Sequence, residues 1–112
     1  MSGLTELLAG IERLEGPSTG MDIELMRLVD PDAVPYSSAH LRYTSSVDAA
    51  LDLVERMTPG CKVELFYGGP IVGHHCHLFR VEAPQAAGKS RDASTLPLAI
   101  LAALLKAMID HE

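Results

Sequence analysis

The segment STLPLAILAALLKAMIDHE constrains this chain more than any other. Between positions 96 and 109 its only charged residue is Lys106. Pro97 is compatible with a helix beginning near Ser94 or Thr95, because first-turn amides have no intrahelical acceptor to lose. The apolar run 96–105 falls well short of the roughly 20 residues that a membrane span needs, which predicts a helix inside a protein. A helix that is apolar around its circumference is covered on more than one side. Leu98, Leu101, Leu105 and Met108 share one stripe, predicted to pack on a sheet. Ile100 and Leu104 lie on another face beside the small Ala103 and Ala107. A chain of 112 residues has few spare elements to cover that second face. Left bare, it would be an exposed apolar strip. The expectation is therefore that Ile100, Leu104, Ala103 and Ala107 form an interface, either in a homo-oligomer or with another protein.

The rest of the chain predicts what this helix packs against. LTELLAGIERL places Leu4, Leu7, Leu8, Ile11 and Leu14 at helical spacing, and Gly16-Pro17 ends the run. A second short helix follows, with Met21, Leu25, Leu28 and Val29 on one face and a stop at Asp30-Pro31. Over 37–46, Leu41 and Tyr43 alternate with His40, Arg42 and Thr44, which permits a short strand. Ser45 and Asp48 make a capping pattern for a third helix. Its stripe is Val47, Ala50, Leu51, Val54 and Met57, and Pro59-Gly60 closes it. CKVELFY and HCHLFRVEA alternate as strands about the turn residues GGPIVG. A hairpin symmetric about Pro70 would set Cys76 opposite Glu64. Residues 84–93 read as a polar, flexible link before the closing helix. The prediction is one domain over 1–112, of α+β class, with four helices layered around an antiparallel sheet of two or three strands.

Charge and composition narrow the function classes. The net charge is −6 with no Lys/Arg run, which predicts no nucleic-acid partner. No basic segment leads into an apolar one at the N-terminus, so a soluble, cytoplasmic protein is expected. There Cys61 and Cys76 are expected as free thiols. The GKS at 88–90 lacks the earlier glycine of a phosphate-binding loop, since Ala83 stands there, and no nucleotide or other cofactor is expected. Asp22, Glu24, Asp30 and Asp32 read as a solvated acidic face.

One stretch could carry chemistry: His74-His75-Cys76-His77. On a strand, His75 and His77 share one face while His74 and Cys76 share the other. Two imidazoles can ligate zinc, but a site needs at least three protein ligands, and no partner motif is present. Neighbours on a strand point apart, so Cys76 and His77 do not form a nucleophile–base pair. The expectation is a hairpin strand without bound metal. The alternative is a zinc-binding protein or small hydrolase centred on residues 74–77, with His75 and His77 as ligands.

The order of these elements, together with YTSSVDAALDLVERM, resembles a family of small phage and prophage proteins with an αβα-sandwich domain. The resemblance implies phage origin and layered helices and strands, and it carries no catalytic residue across. The function expected is a small phage or prophage accessory protein that binds a protein partner or itself. It would act in the host bacterial cell, with virion association an open alternative.

Overall fold

The computed structural model describes residues 3–29, 42–68, 73–80 and 86–110. Four helices are found among them: α1 (Gly3–Arg13), α2 (Thr19–Val29), α3 (Val47–Met57) and α4 (Leu96–Asp110). Three strands, β1 (Cys61–Phe66), β2 (His74–Arg80) and β3 (Ala86–Ala93), form one antiparallel sheet in the order β1-β2-β3. The α+β layered class expected from the sequence is the class observed.

Local chemistry sets the helix starts. Ser18 Oγ accepts the Met21 N–H at 3.2 Å ahead of α2. Ser46, not Ser45, caps α3 by accepting the Ala49 N–H at 3.2 Å. The Ser45 and Ser46 amides instead close a turn onto the Arg42 carbonyl. That turn replaces part of the strand expected over 37–46, while the remainder of that stretch lies outside the described residues. Tyr43 and Thr44 are consecutive and both buried, so no strand alternation is possible there. Thr95 Oγ1 accepts the Leu98 N–H at 3.4 Å and opens α4, as the sequence suggests.

Asp22 departs from the solvated face expected of it. It is buried and accepts the Thr44 N–H at 2.8 Å. Thr44 Oγ1 in turn donates to the Ser18 carbonyl and accepts the Ser18 N–H, tying α2 to the turn before α3. Burial raises the Asp22 pKa above its ordinary 3.8, and the Thr44 bonds pull the other way. A raised carboxyl pKa supports the fold below the ordinary value and loses that support as pH rises through the folded value. Asp22→Asn is therefore expected to gain stability relative to the parent as pH rises from the acid side to neutrality. Asp22→Ala strands the Thr44 N–H and should cost about 1–3 kcal/mol. Urea unfolding across that pH range checks both.

The second correction concerns residues 84–93. Where a flexible link is expected, β3 runs from Ala86 to Ala93 beside β2. Residues 84 and 85 lie outside the described part. Two register shifts, between His74 and Cys76 and between Leu78 and Phe79, disturb its pairing. Asp92 sits near the first of them with φ of 58°. β3 turns Gly88 and Ser90 to the core, and so lacks the apolar alternation that marks a strand. Ser90 Oγ donates to the Ala99 carbonyl of α4 at 2.6 Å.

The third correction concerns α4. The helix lies along β2 and β3, while α1 and α3 pack against it from other sides, and α2 packs on α1. Ile100, Leu104, Ala103 and Ala107, the expected interface, are fully buried within the single chain. They join Leu98, Leu101, Leu105, Ile11, Leu53 and Leu78 in one core. The circumferentially apolar helix is covered on more than one side, and the cover comes from this chain's own elements. Lys106 reaches out of that core to Glu12 of α1, at 3.6 Å.

Candidate functional site

β2 places its side chains alternately on two faces. His74, Cys76 and Leu78 turn into the core and are buried, while His75, His77 and Phe79 turn outward and are half-buried. The pairing with β1 sets Glu64 opposite His77 and Leu65 opposite Cys76. This is one residue away from a hairpin symmetric about Pro70, and it leaves Cys61 opposite Arg80. The outer face of the sheet therefore gathers Lys62, Glu64 and Phe66 from β1, His75 and His77 from β2, and Lys89 from β3, which pairs with His77.

These groups touch. The Phe66 and His77 rings lie 5.0 Å apart, tilted by 55°. Glu64 Oε1 stands 3.9 Å from His77 Nδ1. His75 Nδ1 accepts the Asp92 N–H at 3.3 Å, which fixes its ring at the β3 irregularity. Phe66, His75, His77 and Lys89 line a shallow recess. At the end of the strands, Tyr67 is 76% exposed and rests on the His74 ring at 4.7 Å. His74 itself is buried, and its Nδ1 has no partner among the described residues. Gly73, with φ of 78°, lets the chain turn tightly past Asp92, whose Cα a Cβ there would meet at 2.6 Å.

His75 and His77 thus share a face, as the zinc alternative requires. Among the described residues, however, no three His, Cys, Asp or Glu side chains converge to hold a metal ion. Cys76 is fully buried, and burial pushes its thiol pKa up to about 12, which leaves little thiolate at neutral pH. Both cysteines are free, and Cys61 is half-buried. A thiol-exchange reagent is expected to label Cys61 in the folded protein and Cys76 only on denaturation, giving two thiols per chain. Equal labelling rates would contradict this burial.

The outer face offers ring surfaces, imidazole donors and acceptors, and the fixed charges of Lys62, Lys89 and Glu64. Sequence reasoning found His75 and His77 but not Phe66 or Lys89 as their neighbours. The β1 alternation already put Phe66 on one side with Lys62 and Glu64. Lys89 was hidden by reading its strand as a link. No helix of the described residues is long and apolar enough to cross a membrane. No known protein family, curated protein or solved structure matches the chain.

Proposed function

We propose that this chain is a non-enzymatic binding protein, a phage or prophage accessory protein of the kind its sequence resembles, which docks a protein partner on the outer face of its sheet. It would act in the cytoplasm of a bacterial host. The observation that carries the reading is the ring pair of Phe66 and His77 on an outward face flanked by lysines. Phe66 is 43% exposed, and aromatic side chains held in the open are enriched at interfaces and among their energetic centres. Lys62 and Lys89 outnumber Glu64 on this face, in a chain of net charge −6. The complementary partner presents an acidic segment with apolar side chains beside it.

The test is affinity capture from host extract with the parent and with Phe66→Ser, followed by cross-linking of the captured protein. Phe66 lies outside the core, so the variant should fold. The expected result is one stoichiometric partner, cross-linked through an acidic segment to Lys62 or Lys89, and bound at least tenfold less by Phe66→Ser. Capture of nothing by the parent, or of the same protein equally by both, rejects the reading.

A further inference from the structure

The two edges of the sheet differ. β3 carries both register shifts and lies against α4. β1 pairs with β2 through six consecutive residues without a shift, and among the described residues it has a strand neighbour on one side only. An unbroken strand edge presents unpaired backbone donors and acceptors and is a template for another strand. Proteins that must keep such an edge free interrupt it with a proline, a bulge, an inward charge or charged side chains, lysine above all. β1 has no proline or bulge, and its one lysine, Lys62, is balanced by Glu64 on the same outer face, so the strand carries no net charge against a copy of itself. Beyond the reach of α4, the strand also leaves apolar groups uncovered on both sides. Leu65 is 37% exposed on the inner face and Phe66 is 43% exposed on the outer.

The sequence of β1 says what fits this edge. Partners across an antiparallel pair share a face, so a strand pairing with its own copy must be centred on a residue. Centred on Val63, CKVEL is self-complementary. Val63 meets Val63 of the second copy, Lys62 meets Glu64, Glu64 meets Lys62, and Cys61 meets Leu65 on the inner side. Centred on Glu64, two carboxylates would face each other, which is unfavourable.

We propose that β1 pairs antiparallel with β1 of a second copy about a two-fold axis through Val63, joining two three-stranded sheets into one. The pairing satisfies the free edge and covers Leu65 with the partner's Cys61. It matches two ion pairs, and it leaves the outer faces of both copies side by side and open. The homo-oligomer expected from the closing helix is thereby moved from α4 to the edge of β1. This proposal stands apart from the docking reading above: a dimer that captures no host protein leaves it intact and ends only that reading.

The test is light scattering coupled to size exclusion at high micromolar concentration. It uses the full chain, Lys62→Glu, Glu64→Lys and the double exchange. Both positions are exposed, so all four proteins should fold, and circular dichroism checks this. The parent is expected to run as a dimer. Each single reversal sets like charges opposite each other twice, and should weaken the dimer about tenfold or more. The double exchange should restore it, and an equimolar mixture of the two single variants should form a heterodimer. A monomeric parent overturns the proposal. So do single reversals that dimerise as tightly as the parent, or a double exchange that stays monomeric.

Discussion

Leu104→Glu is expected to abolish cooperative folding rather than to dissociate an assembly. Leu104 has no solvent exposure and sits on a helix packed by the sheet, α1 and α3. Removing a buried leucine side chain alone costs about 2–5 kcal/mol. A carboxylate placed in that buried core adds several kcal/mol more, whether it stays charged or takes up a proton. A domain of ordinary stability has about 5–15 kcal/mol in total. The variant should show no sigmoidal thermal transition by circular dichroism and should be recovered poorly. Leu104→Ala supplies the measurable comparison. It should remain folded, with a lower urea midpoint and an unchanged slope. A Leu104→Glu protein as stable as the parent would place this face outside the core.

Gly88→Ala should leave a folded but clearly destabilised protein for the addition of one methyl group. A Cβ at Gly88 would run into the Ala103 carbonyl oxygen and stand 2.9 Å from the Ala107 amide nitrogen and 3.1 Å from its Cβ. Two of these three are backbone atoms of α4, which cannot swing aside as a side chain can. β3 would have to lift from the helix, opening space around Ser90 and Leu78. Overpacking of this kind costs about 1–3 kcal/mol, and rigid neighbours put Gly88→Ala at the upper end. Gly88→Val should cost more. Trimming Ala107 to glycine removes only the Cβ contact, so Gly88→Ala with Ala107→Gly should stay well below the parent in urea midpoint. Full recovery in the double variant would show that the side chain, not the helix backbone, sets the spacing.

Helices and the first two strands were legible because each carries its own local signal. The apolar spacing of α1 marked Leu7 and Ile11, and the alternation of β2 correctly separated His75 and His77 from His74 and Cys76. The third strand had no such signal. Its inward positions, Gly88 and Ser90, are small because α4 approaches closely, and closeness is a property of two segments that neither displays alone. Misreading β3 as a link then removed an element from the count available to cover α4. The missing cover was transferred to an imagined partner for Ile100 and Leu104, and Ala103 and Ala107 were read as an interface. In the fold they form the seat for Gly88. The candidate site was half legible for the same reason: Phe66 and the histidines lie on strands with clear alternation, and Lys89 lies on the strand without it. Asp22 was missed because its partner, the Thr44 amide, is a backbone group 22 residues further along the chain.

The central position of α4 also sets a schedule for the growing polypeptide. It is the last of these elements to be synthesised, yet α1, α3, β2 and β3 all bury their apolar faces on it. Until residues 96–110 clear the ribosome, Leu7, Ile11, Leu53 and Leu78 have no common surface to meet. Contacts spanning so much of the chain form slowly, and the waiting segments expose unpaired strand edges and apolar side chains. Nascent chains arrested before position 96 should therefore be protease-sensitive throughout and bound by chaperones. Those arrested once α4 has emerged should become resistant in a single step, with no protected amino-terminal fragment preceding it.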